Sequence, residues 1–134
     1  MAARTMLRLA PVIGLVASVA TTSAVRAEQN PRYGFEAAAQ EITQLFWLAD
    51  TANLCGWASD EDTSKFKAFA VRFLASHLSD GNALALVSLV TEAGYEQKVR
   101  DAAGEAGEQN CGSRRWQLGW VSYKTAADER EGQY

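Results

Sequence analysis

Residues 35–56 are FEAAAQEITQLFWLADTANLCG, a stretch whose apolar spacing sets the fold class. Phe35, Ile42, Leu45, Phe46, Ala49 and Ala52 recur at helical spacing, which gathers them on one side of an α-helix. Alanine, leucine, glutamate and glutamine favour that conformation, and Gly56 supplies a stop, so a helix is expected over about 35–54. No proline follows Pro31, and the rest of the chain has the same helix-forming composition.

Further along, Ser59 with Asp62 three residues on resembles a capping box, and Asp60 and Glu61 suit the positive end of a helix dipole. A second helix is expected from there to about Ser79, with Phe66, Phe69, Ala70, Phe73 and His77 facing inward. Ser79-Asp80-Gly81-Asn82 is a turn signal, after which Ala83 to about Glu108 is again helical in pattern. Its apolar set is Leu86, Leu89, Val90 and Ala93 before Gly94, but Tyr95, Val99, Ala102 and Ala106 after it, on a different face. A bend or phase change is therefore expected near Gly94. Ser113 can cap a last helix carrying Trp116, Trp120, Tyr123 and Ala127, followed by a polar, frayed tail from Glu129 to Tyr134.

The expected fold is all-α, a small antiparallel four-helix bundle. After two reversals the end of the first helix and the connection before the last one lie at the same end of such a bundle. Cys55 occupies the first position and Cys111 the second, so one disulfide is expected to staple them.

The cysteines agree with the N-terminus. Arg4 and Arg8 precede LAPVIGLVASVA (Leu9 to Ala20), an apolar run of signal-peptide length and too short to span a membrane. Val25-Arg26-Ala27 places cleavage before Glu28, with cleavage after Ala24 as second choice. The expected organisation is a signal peptide over 1–27 and one helical domain over 28–134, soluble after cleavage and periplasmic or secreted, where an even cysteine count is oxidised. No cysteine closely follows the apolar run, so no lipid anchor is expected. Cleavage removes Arg4, Arg8 and Arg26 but no acid, leaving ten basic against sixteen acidic side chains and a net charge of −6. An acidic protein of this kind lacks the basic footprint that nucleic acid or anionic lipid requires.

The layout of signal peptide, aromatic-rich first helix ending in Leu54-Cys55-Gly56, phenylalanine-bearing second helix, Gly94-Tyr95 step and Cys111 before a last helix resembles a family of small exported two-cysteine bacterial proteins of unknown function. The resemblance covers roughly residues 36–128 and implies a fold and a compartment; it implies no reaction, substrate or catalytic residue.

Several residues are weighed as sites. The cysteines are too far apart in sequence for a C-x-x-C redox pair, so they read as structural. His77 is the only histidine, which removes paired-histidine zinc sites; it is expected to be a partly buried, satisfied residue near the end opposite the cysteines. An EF-hand loop begun at Asp60 would need glycine and glutamate where Lys65 and Val71 stand. No catalytic residue, metal ligand or cofactor is assigned.

Glu36, Glu41 and Asp50 on the first helix could supply a carboxylate pair, which leaves a small periplasmic enzyme acting on cell-wall glycan or peptide as the alternative function. Trp47 projects nearly opposite the Ile42/Leu45/Ala49 stripe, alongside Leu54, so Trp47 and Leu54 are the expected contact with an envelope protein partner. A flatter bundle that covers both faces of the first helix would instead bury Trp47. Leu118 and Val121 likewise face away from the tryptophan stripe of the last helix. Arg114 and Arg115, at that helix's N-terminus, are the expected anion contact. The preferred functional expectation is a non-catalytic accessory or binding protein of the cell envelope.

Overall fold

A computed structural model describes residues 33–134 of the 134-residue chain; the expected signal peptide and its cleavage site lie outside the described residues. Those residues form five α-helices: α1 (Phe35–Leu54), α2 (Asp60–Ala75), α3 (Asp80–Val90), α4 (Tyr95–Cys111) and α5 (Arg114–Glu129). The all-helical class is as expected, and the count of four is corrected to five.

The extra helix arises at Gly94. The expected bend is a complete break, because Gly94 stands at φ +88, a left-handed conformation that glycine adopts without the penalty a Cβ would bring. Thr91 caps the end of α3 and Gly94 opens α4, so one long helix becomes two. The second discontinuity, at Gly107 (φ +44), kinks α4 near its end. The third helix also begins earlier than the turn signal implied. Ser79 Oγ accepts the Asn82 N–H at 3.3 Å, so Asp80 is already helical. The caps read from sequence at the other starts are present: Ser59 Oγ accepts the Asp62 N–H at 3.0 Å, and Ser113 Oγ accepts that of Trp116 at 3.3 Å.

α1 is the hub, touching each of the other four helices. α2 runs back along it, bringing Lys67 to Asp50 and Leu74 to the Ala38–Ile42 end. α3 starts beside the start of α1, where Asn82 approaches Gly34. α4 continues in the same direction: Tyr95 meets Thr43, Arg100 meets Asn53, and Cys111 meets Cys55. The broken third helix therefore delivers Cys111 to the end of α1 as an unbroken one would.

The Cys55–Cys111 disulfide is formed, with Cα atoms 5.2 Å apart across a sequence separation of 56. In the chain-entropy picture a closed loop of that length stabilises the fold by about 4 kcal/mol.

Burial along α1 produces two clusters, one after the other. Ala38, Ile42 and Phe46 join Ala70, Leu74, Leu78, Leu86, Val90 and Val99 in the first, contributed by α1, α2, α3, α4 and the turn after α2. Leu48, Ala49 and Ala52 join Phe66, Trp120 and Ala127 in the second, contributed by α1, α2 and α5. Leu45 and Trp47 border both.

Candidate functional site

Trp47 is half-buried rather than free, because α5 crosses the face of α1 that a simple bundle would leave to solvent. Its ring meets Trp116 of α5 edge to face, with centroids 5.1 Å apart, an arrangement in which the positive ring edge of one indole faces the electron-rich surface of the other. What remains uncovered there is a groove of about 640 Å³ between α1 and α5, lined by Gln40, Gln44, Leu45, Trp47, Trp116 and Tyr123 among others. Tyr123 is 54 % exposed and Trp116 37 %, so the wall on the α5 side is aromatic and open to solvent. Leu54 lies at the end of α1, exposed, and is not among the groove's lining residues.

A narrower apolar slot of about 180 Å³ adjoins the groove, sharing Glu41, Leu45 and Tyr123 with it. Phe66, Phe69 and Phe73 of α2 form its floor. The tail expected to fray instead returns here: Tyr134 approaches Phe69 at 6.0 Å and Phe73 at 5.2 Å, both edge to face.

On the opposite side of α1 lies a charged cluster that sequence reading missed. Asp50 is 1 % exposed. Lys67 Nζ donates to its Oδ1 at 2.8 Å, and Arg100 Nη1 reaches the same oxygen at 3.5 Å. Arg100 Nη2 donates to Asn53 Oδ1 at 2.9 Å, and Asn53 Nδ2 donates to Asp60 Oδ1 at 2.8 Å. Lys67 also pairs with Glu96 at 3.2 Å and sits 5.1 Å above the Phe46 ring, a cation–π contact. This network ties α1 to α2 and α4. A carboxylate enclosed with two cations resists removal of either one, since an uncompensated buried charge is costly. The signal that could have revealed it was Asp50 directly after the apolar run Leu45 to Ala49.

The other candidate carboxylates, Glu36 and Glu41, are exposed. Among the described residues, no three His, Cys, Asp or Glu side chains converge as a metal centre would need. His77 is satisfied locally: its Nδ1 lies 2.9 Å from the Phe73 carbonyl oxygen, so Nδ1–H donates to it, and the ring packs 4.8 Å from that of Phe73. Burial, followed by the nearby Glu41 carboxylate, pushes the Tyr33 phenol up to about 12. Burial likewise raises Tyr95, although its hydroxyl contact with Thr43 at 2.6 Å works the other way.

Arg114 and Arg115 are exposed at the start of α5, and neither forms an ion pair among the described residues. No described helix is long and apolar enough to cross a membrane.

With groove, charged cluster and termini of α5 placed, comparison of the chain with family models, curated proteins and solved structures returned no match.

Proposed function

We propose that the protein is a non-catalytic binding or accessory protein of the cell envelope, exported by its N-terminal signal. Its contact region is the mouth of the α1/α5 groove together with the exposed end of α1 at Leu54. The observation that carries this reading is the groove itself: Trp47, Trp116 and Tyr123 present aromatic surface to solvent between two helices while polar Gln40 and Gln44 edge it. Open concavities with aromatic walls and a few convergent polar groups are the usual form of binding sites.

A carboxylate-dependent enzyme draws less support. The buried carboxylate, Asp50, is engaged by Lys67 and Arg100, and Glu36 and Glu41 stand in solvent.

The test uses two exposed residues, since Trp47 also packs against both clusters. Tyr123→Glu and Leu54→Glu should leave the melting temperature of the purified protein nearly unchanged while each reduces capture of the envelope partner that the wild type retains. Undiminished capture by both variants would overturn the reading.

A further inference from the structure

We propose that α5 is a self-association helix, its outward stripe packing antiparallel against the same stripe of a second copy. Trp120 and Ala127 turn inward and are 3 % and 5 % exposed. Half a turn away, Leu118 and Val121 stand 54 % and 52 % exposed on the face that no other described helix covers. At helical spacing this face continues through Arg114 at one end and Thr125 and Glu129 at the other, so an apolar centre is flanked by opposite charges.

That order along the helix is self-complementary in one orientation. With two α5 helices antiparallel and Val121 near the two-fold axis, Leu118 faces Thr125 and Arg114 faces Glu129 of the second copy. Parallel pairing would instead bring arginine to arginine and acid to acid. A two-fold isologous contact is the commonest way for identical chains to associate. Asp128 already holds Lys124 at 2.7 Å within the helix, so the principal cross-pair is Arg114 with Glu129.

Another exposed apolar pair, Leu84 (70 %) and Val87 (41 %) on α3, lacks this property. The only charge on that helix, Asp80, flanks the pair at one end and neutral Thr91 at the other, so a second copy would offer it no opposite charge. Charge complementarity therefore distinguishes α5. It also gives Arg114 the anion that its position invites: Glu129 at the acidic end of the second copy's α5.

A contact one helix wide is small, so the dimer should be concentration-dependent and sensitive to salt. Sedimentation of the mature protein from low to high micromolar concentration should show a monomer–dimer equilibrium that weakens as salt is added. Leu118→Glu/Val121→Glu should remain monomeric throughout with unchanged helical circular dichroism and melting temperature, both side chains being exposed. Arg114→Glu should weaken association about tenfold, and the swap Arg114→Glu/Glu129→Arg should restore it. A wild type that stays monomeric overturns the proposal. So does a dimer indifferent to Leu118→Glu/Val121→Glu, and failure of the swap to restore association overturns the antiparallel register.

Discussion

The two clusters built on α1 are closed in different ways. In the first, aliphatic side chains from three further helices interdigitate, and Ala38, Ile42 and Leu86 are fully enclosed at 0 % exposure. In the second, α5 lies across α1 and α2 with Trp120 as its one large buried residue, while Trp116 and Tyr123 remain partly in solvent at its flank. The same central helix thus supports an aliphatic interior along its first half and a more open, aromatic one along its second. The two differ in how firmly they hold: interdigitated packing resists opening, and an open flank leaves fewer contacts to resist it.

The largest effect expected on this contrast comes from the staple. Replacing both cysteines, Cys55→Ser/Cys111→Ser, should cost about 4 kcal/mol in urea unfolding, because the unfolded chain then regains the freedom of a loop spanning 56 residues. A loss below about 1 kcal/mol would show that the helix contacts fix this end without it.

Next come matched truncations, one in each cluster. Leu86→Ala should cost about 3 kcal/mol and lower amide protection throughout α1 to α4, because nothing can collapse into a site enclosed by several helices. Trp120→Ala should cost about 3 kcal/mol, the low end for a tryptophan because α5 can settle toward α2, and the lost protection should be confined to α5. Uniform loss of protection in Trp120→Ala would mean that the two clusters unfold as one unit.

The smallest effect is alkaline. The Tyr33 phenol, packed against the first cluster, keeps its proton up to about 12 in the fold and loses it near 10 when unfolded. Its contribution is fully present below pH 10 and is lost as pH rises toward 12, because the unfolded chain there binds fewer protons than the native one. Tyr33→Phe should flatten this part of the stability profile; an unchanged profile would assign the alkaline loss elsewhere.

Much of the first region was legible because the residues each helix contributes obey helical period within that helix. Ile42 and Phe46 predicted the inner face of α1, and the serine caps marked where helices start. The cysteine pairing was legible from the even cysteine count after an expected export signal, together with helix order. What local pattern could not supply was how many neighbours α1 has. Since α4 and α5 cover faces that a simple four-helix ring leaves to water, Asp50 is buried against Lys67 and Arg100, and Trp47 is half-covered by Trp116. The break at Gly94 was visible as a change of apolar face, but a change of face cannot distinguish a bent helix from two; the left-handed φ of +88 decides it. The groove depends on residues from two helices distant in sequence, so no single-segment pattern contained it.

The position of Cys111 limits how α5 can leave. The bridge anchors the chain two residues before Ser113 caps the helix, so an undocked α5 behaves as an arm hinged at Gly112, with its root held against the end of α1. Sixteen residues at about 1.5 Å each make an arm of about 24 Å, whose tip can swing while its base cannot drift. Redocking is then a short unimolecular search at high effective concentration, so α5 can open to expose Phe66 and Phe69 and still reclose rapidly.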